Sequence, residues 1–394
     1  MWNSLCGCGY SLKKGGFCPE MRDEMSFSRV FMIITAVGVV IGGLDKLVGN
    51  KLGLGDYFIG ALKTVSQFAV SIMGLFIILP ALATLISPYA AVISRTGLDP
   101  ACISSIFPMD VGGYPFAVAV AQDADMGKFF GCIVCAMLGV GIIDLCIAKP
   151  LLQMQDEKFF MRGFLVGLIS VPIGSVAGGL VAGFSPAAVL INTIPVLLIS
   201  TLLAWGMWKI PQKMVQGCMV FSKALDFLPV VGLILGALSA LLEVTLIPGM
   251  MSFYDSGKVL FNVALVLMGI TPLLRILLKL LKRLFQKLSE KMGYSRDTVA
   301  ALFIVTVNIF PMLDLYKDLD DRGKVLASAW AVPMVAAFGD LIAYGSSVAP
   351  TMLVPMIAGK LLGGIFCLLI AGFFMRDIPR KNEVAAAQLT ADGM

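Results

Sequence analysis

Two carboxylates stand in stretches that are otherwise apolar, one where two prolines and two glycines break the run and the other deep in a predicted span. Asp110 falls in Pro108-Met-Asp-Val-Gly-Gly-Tyr114-Pro115, and Asp340 in Phe338-Gly-Asp-Leu-Ile-Ala-Tyr344-Gly345. Placing an Asp near the centre of a membrane helix costs about 2.5–3.5 kcal/mol on the insertion scale, so each asks for a reason. A carboxylate on unwound backbone with an aromatic nearby is equipment for a small organic cation: it pairs with the charge, accepts N–H bonds, and leaves the ring face for cation–π attraction. Gly112 and Gly113 would let the backbone approach such a ligand closely. Asn308, Asn192 and Ser346 could meet a hydroxyl on the same ligand. A site that must release its cargo needs one desolvated carboxylate rather than a cage of several. The competing reading is a buried Asp that bonds freed backbone N–H groups or a lysine, and Lys360, in Ala358-Gly-Lys-Leu-Leu-Gly-Gly364, is a candidate partner.

The composition sets the medium in which these groups work. Of 394 residues, 58% are apolar and 14% charged, against roughly 25% charged in a soluble domain. The mean hydropathy is +0.92. This is a polytopic membrane protein, not a soluble enzyme. The absence of histidine excludes zinc hydrolases, Ser-His-Asp and Cys-His nucleophilic sites, and His-held haem. No G-x-x-x-x-G-K-[ST] is present, so transport would be downhill or ion-coupled, or would need a separate ATPase. A net charge of +5 is too scattered to suggest nucleic acid, and no cofactor or metal is expected. Cys102, Cys132, Cys135, Cys146, Cys218 and Cys367 fall in or beside apolar runs, where a thiol packs as a small hydrophobe. Residues 1–24 form a polar extension with Cys6, Cys8 and Cys18, open to metal binding, to lipidation, or to a true start at Met25.

The apolar runs predict an all-α bundle over 25–381 with a short cytoplasmic tail, 382–394. Runs of spanning length read as 27–48, 65–87, 101–121, 128–148, 161–184, 186–208, 224–247, 257–281, 324–349 and 351–375, about ten crossings. The run 298–313 is short, carries Asn308 and Pro311, and precedes a charge-dense stretch; it reads as a re-entrant or broken segment. With the N-terminus inside, most Lys and Arg fall in inside loops and only Lys51 and Lys63 in an outside loop, which puts both ends of the chain in the cytoplasm. Asp144, Asp226 and Glu243 read as groups near span ends. Gly178-Gly179 and Gly363-Gly364 read as close helix-packing points. Pro108-Met-Asp110 and Pro311-Met-Leu-Asp314, one in each half, suggest an inverted repeat whose discontinuous helices correspond.

Several stretches together resemble the ethanolamine permease family of ethanolamine-utilisation operons, the EutH type. They are Asp110-Val-Gly-Gly-Tyr-Pro-Phe, Val171-Pro-Ile-Gly-Ser-Val-Ala-Gly-Gly, Asn192-Thr-Ile-Pro, Ile210-Pro-Gln-Lys-Met, Asn308-Ile-Phe-Pro-Met, Asp321-Arg-Gly-Lys-Val, Phe338-Gly-Asp340 and Pro355-Met-Ile-Ala-Gly-Lys. The resemblance runs from about Val30 to Met375, and polar, Gly and Pro positions carry it. It implies a multi-pass protein of the bacterial inner membrane that admits ethanolamine. The sequence departs from the family pattern after Gly339-Asp340, where a His is common and Leu341 stands here, and at Ala117 to Ala119, where a basic residue is common. The implied amine site is Asp110 and Asp340, with Asn308 and Tyr114 in support and Gly112, Gly113, Tyr344, Asn192 and Ser346 around them. A homo-oligomer is compatible with this reading. The alternatives are a transporter of another small amine or polar metabolite, an intramembrane aspartyl protease, which Ala337-Phe-Gly-Asp340 resembles without its first glycine, and a membrane scaffold.

Overall fold

A computed structural model describes residues 27–105, 113–139, 152–153, 155–307 and 309–379; Asp110, Gly112, Asp144 and Asn308 lie outside them, as do the two tails. The described residues contain helices and no strands. In chain order these are α1 (Phe27–Leu47), α2 (Leu54–Ser94), a 3₁₀ segment (Pro100–Ser105), α3 (Gly113–Val120), α4 (Ala124–Lys128) running into a π-helix (Phe129–Gly139), and α5 (Glu157–Val181). There follow α6 (Pro186–Lys209), α7 (Pro211–Leu242), α8 (Phe253–Met292), α9 (Arg296–Val305), α10 (Ile309–Tyr316), α11 (Asp321–Met334), α12 (Asp340–Val348) and α13 (Leu353–Phe374).

Among the described residues, six stretches are long and apolar enough to cross a membrane: 29–47, 69–86, 157–181, 186–206, 253–277 and 350–374. Two of the ten runs expected to cross are not single long helices, and the run 128–148 lies partly outside the described residues. The run 324–349 is divided into α11 and α12, and 101–121 into a 3₁₀ segment and α3. In α7 the apolar stretch 227–242 is shorter than a span.

Helices α1, α2, α7 and α8 pack as one panel, in which glycines let backbones touch. A Cβ on Gly38 would overlap the Gly269 carbonyl, and one on Gly74 the Pro229 carbonyl. Small residues at such points replace hydrophobic drive with close van der Waals contact. The contacts also fix direction. Gly38 meets Gly269 and Gly42 meets Pro272, so α1 and α8 run parallel. Arg275 of α8 lies over the Tyr57 ring, 5.5 Å from its centroid. The turn between α1 and α2 therefore shares an end of the molecule with the basic extension of α8, where sequence reading had put them on opposite sides. This is called the Lys46 end below.

The second body is built around α5, α11 and α13. Gly163 and Gly167 of α5 seat on Val325, Ala329 and Val332 of α11, and Gly174 and Gly178 face Gly359 of α13. The first turn of α5 meets α11 in a buried ion pair, Lys324 Nζ to Asp156 Oδ1 at 2.7 Å. Arg162 pairs with Asp377 just past α13, one N–H donating at 2.9 Å. At its other end α5 turns into α6, where Gly179 touches Val189, and Asn192 Oδ1 there accepts the backbone N–H of Asp99 at 2.8 Å. Asp99 follows α2, so this Asp99 end is opposite the Lys46 end. The start of α1 belongs to the Asp99 end and residues 375–379 to the Lys46 end. The described chain, 27 to 379, begins and finishes at opposite ends, where the sequence predicts both on one side; the two tails themselves lie outside the described residues.

Candidate functional site

Two short helix pairs cross where each is interrupted. Between α9 and α10 the chain leaves helix at Thr306, and between α11 and α12 it does so over 335–339. Pro333 cannot continue the hydrogen-bond ladder of α11, and Ala336 adopts a left-handed φ of 54°. The freed groups of the two breaks find each other: Ala336 N–H donates to the Val305 carbonyl at 3.0 Å, and Phe338 N–H to Thr306 at 2.7 Å. A Cβ at Gly339 would overlap the Val307 carbonyl, so only glycine permits this approach. The residues next in sequence after Val307 and Gly339 are Asn308 and Asp340. Asp340 opens α12, where the positive end of the helix dipole favours a carboxylate.

Both broken segments have their ends tied. The Asp99 carboxylate accepts N–H bonds from Ala101 at 2.8 Å, Gln122 at 3.1 Å and Asp123 at 2.8 Å, so the chain from Pro100 to Ala121 returns to the end it left. That run had been read as a crossing. At the Lys46 end the Thr298 hydroxyl donates to Asp320 at 3.2 Å, which joins the start of α9 to the start of α11. The Tyr316 hydroxyl adds a bond to the Lys324 carbonyl at 3.0 Å. The two ties lie at opposite ends of the molecule.

The π-helix lies between α3 and α12. Gly131 packs on Tyr114 and Gly113 on Cys135, each so closely that a Cβ would lie 2.8 Å and 2.6 Å from the neighbour. Cys135 Sγ also donates to the Ser104 carbonyl at 3.6 Å. On its other side the π-helix faces α12 across a narrow crevice lined by Gly131, Cys132, Ala136, Tyr344, Gly345 and Met356. The crevice is tight, with room for about one water. Tyr344 stands edge-on to Phe76 of α2, ring centroids 5.8 Å apart.

Of the residues singled out in the sequence, Gly113, Tyr114 and Tyr344 are thus gathered about the π-helix, and Asp340 opens the helix that carries Tyr344. Asp110, Gly112 and Asn308 lie outside the described residues. Asn192 and Ser346 are engaged elsewhere: Asn192 bonds Asp99 and the Ala188 carbonyl, and Ser346 donates to the Ala343 carbonyl of its own helix at 2.8 Å. Cys102, Cys132, Cys135 and Cys367 are buried free thiols. Glu243 ends α7 with a left-handed φ of 55°.

Sequence reading missed three buried carboxylates, Asp45, Asp99 and Asp156. Asp45 accepts backbone N–H bonds from Leu52, Leu54 and Gly55 and shapes the turn into α2. A signal existed for Asp99, since Asp-Pro favours a side chain that bonds backbone just downstream. Outside the apolar helices, Asp377 is held below the usual carboxylate range by its bonds to Arg162. Lys46 does the same for Asp56.

The family described as "Ethanolamine utilisation protein, EutH" matches residues 27–374. A Listeria monocytogenes protein named "Probable ethanolamine permease EutH" is 31% identical over 362 residues, covering 91% of this chain and 97% of its own. An Escherichia coli K12 protein of the same name is 27% identical over 389 residues, 90% of this chain and 95% of its own. The Bacillus subtilis protein named "Uncharacterized protein YxeR" is 30% identical over 362 residues, 91% of this chain and 98% of its own. No solved structure matches. With helices apolar enough to cross a membrane, interrupted helices meeting inside, and a family match over nearly all the described residues, the chain belongs to the EutH family of ethanolamine utilisation proteins.

Proposed function

We propose that this protein carries ethanolamine across the bacterial inner membrane, downhill or coupled to an ion, and that the amine is held where the two interrupted helix pairs cross. The observation that carries this reading is the contact of Gly339 with the Val307 carbonyl, because it brings together the chain positions just before Asp340 and Asn308. Protonated ethanolamine has three N–H donors, one positive charge and one hydroxyl. Asp340 takes the charge, Asn308 the hydroxyl, and Asp110, on the segment that enters from the opposite end, is the second carboxylate the amine meets. Tyr114 and Tyr344 supply aromatic faces. The names of the relatives support the substrate. The present crevice is too narrow for the molecule, so passage requires α12 to move relative to the π-helix.

The same reading assigns sidedness. Lys46, Lys158, Arg162, Lys209, Lys213, Arg275, Lys279 and Lys287 gather at the Lys46 end, against Arg29, Arg95, Lys128 and Lys258 at the other. By the positive-inside rule the Lys46 end is cytoplasmic. The segments 100–121 and 298–319 are then re-entrant from outside and inside respectively, and nine crossings remain.

The test is uptake of labelled ethanolamine into proteoliposomes at mildly acidic outside pH, where the membrane-permeant neutral amine is scarce. Wild type is expected to transport, and folded Asp340→Asn and Asp110→Asn to lose most of the uptake. Wild-type uptake no greater than that of empty liposomes, with and without an imposed proton or sodium gradient, would remove ethanolamine as the substrate.

A further inference from the structure

Ser105 is the last residue of the 3₁₀ segment and is 2% exposed. Its hydroxyl has no hydrogen-bond partner among the described residues. Other buried serines are satisfied by backbone three or four residues back. Ser104 donates to the Ala101 carbonyl at 2.7 Å, Ser170 to Gly167 at 2.6 Å and Ser328 to Lys324 at 2.8 Å. A helical serine has that outlet open to it, and one that leaves it unused keeps a donor and an acceptor for another group.

The neighbours of Ser105 fix its depth. Ile103, two residues earlier, packs against a cluster of Leu75, Ile78 and Leu79 of α2 with Phe116 of α3. Those α2 residues lie in the middle of the apolar stretch 69–86. Phe76, in the same turn of α2, touches the Tyr344 ring of α12. The Ser104 carbonyl, directly before Ser105, accepts the Cys135 thiol of the π-helix. The 3₁₀ segment thus carries a buried, unbonded hydroxyl from the Asp99 end to about half the depth of the apolar layer. There it shares a level with Tyr344 and the π-helix. Transporters place their substrates at this depth, on interrupted helices.

We infer that Ser105 binds the hydroxyl of the transported amino alcohol and so lets the protein tell it from a simple alkylamine. The inference rests on the reading of the chain as an ethanolamine transporter. A hydroxyl donates one hydrogen bond and accepts two, so the substrate's can meet Ser105 together with Asn308. An amine without a hydroxyl leaves Ser105 unbonded in the occupied site, and a site built to bond a hydroxyl discriminates against such an analogue. A serine that served the fold alone would be bonded within the chain, as Ser104 is.

The experiment compares full-length wild type, Ser105→Ala and Ser200→Ala in proteoliposomes. Ser200 is the matched control: it too is 2% exposed and has no hydrogen-bond partner for its hydroxyl among the described residues, but it lies within the uninterrupted α6. Two constants are measured, the KM for labelled ethanolamine and the inhibition constant of ethylamine, which keeps the ammonium and lacks the hydroxyl. Ser105→Ala is expected to raise the ethanolamine KM about fivefold and to leave the ethylamine constant within about twofold of wild type, so the ratio of the two narrows. Its melting temperature is expected to equal or exceed that of wild type, since no bond within the protein is lost. Ser200→Ala is expected to match wild type in both constants. An unchanged ratio in Ser105→Ala overturns the inference, and so does equal narrowing in Ser200→Ala. A Ser105→Ala protein that fails to fold, or melts more than about 3 °C below wild type, shows the hydroxyl bonded within the chain and overturns it as well. Absence of uptake by wild type removes the substrate reading and this inference with it, whereas wild-type uptake with an unchanged ratio removes the inference alone.

Discussion

Helices α1, α2, α7 and α8 and the body formed by α9 to α12 use the same two residues to opposite ends. In the first panel Pro80, Pro88, Pro229 and Pro272 lie inside helices that continue through them. In the second, Pro333 stands one residue before the end of α11 and is followed by a left-handed Ala336. Glycine shows the same split. Gly38 and Gly74 meet the backbone of an intact helix, whose carbonyls are already bonded within it, whereas Gly339 meets the Val307 carbonyl in a break. The first arrangement makes a stiff, lipid-facing wall with exposed side chains such as Val40, Leu44 and Leu241. The second leaves polar backbone inside the protein, which is tolerated in a membrane only when protein or water surrounds it. A proline or glycine by itself does not decide between wall and site; what its backbone neighbour has left unbonded does.

The sharpest test of this contrast is the ion pair beneath the broken body. Lys324 is 8% exposed and Asp156 2% exposed, while the pairs of the first panel, Lys46 with Asp56 and Lys258 with Asp255, lie in the open. Lys324→Met should cost about 3–5 kcal/mol, because it strands a buried carboxylate, and adding Asp156→Leu should recover part of that. Thermal unfolding in detergent measures both; equal melting temperatures for wild type and Lys324→Met would show that the pair does not hold α11 to α5.

Next come matched glycine substitutions. Gly74→Ala and Gly339→Ala each force a methyl into backbone, at up to about 3 kcal/mol of overpacking. Gly74→Ala is expected to lower the melting temperature while leaving the KM for uptake as in wild type. Gly339→Ala is expected to remove most uptake from protein that still folds, since it separates the two breaks. Similar behaviour of both variants in the two assays would erase the proposed distinction between wall and site.

Asn192→Ala should have a smaller effect, about 1–2 kcal/mol, from leaving the buried Asp99 N–H without its acceptor. Its KM for ethanolamine is expected to match wild type, because Asn192 is engaged at the Asp99 end rather than at the crossing; a raised KM with unchanged stability would return it to the substrate site. The smallest effect belongs to Asp377→Asn at the exposed bond to Arg162, and it should shrink further in high salt. Asp377 titrates below its ordinary value of 3.8 in the folded protein. Its contribution is therefore complete above about pH 4 and is lost as the pH falls through the depressed pKa, so wild type and Asp377→Asn should converge in stability only in acid.

Much was legible in the sequence, and for identifiable reasons. Apolar content and hydropathy established a helical membrane protein, because backbone groups in lipid must bond within their own segment. The interruption near Pro311 was legible because proline acts locally, whereas the break around Gly339 was not, since the run 324–349 is of spanning length and reads as one crossing. The family was legible in scattered polar, Gly and Pro positions. Direction was not. Hydropathy measures the length of an apolar run and not whether the chain crosses or comes back. The return of residues 100–121 depends on one carboxylate, Asp99, collecting N–H groups from residues on both sides of the segment. Counting that run as a crossing reverses α1 and α2 relative to everything after them, yet leaves the later loops on the same side, so the charge rule still looked satisfied. Likewise Asn192 reads as a polar group in a span, and only packing shows that it faces Asp99. The sequence alone determined what kind of molecule this is and that the run near Pro311 is broken. Tertiary structure decided which breaks meet, because the freed carbonyls of Val305 and Thr306 are matched by the N–H groups of Ala336 and Phe338, brought from another part of the chain, and Gly339 is the residue that lets the two backbones come close enough.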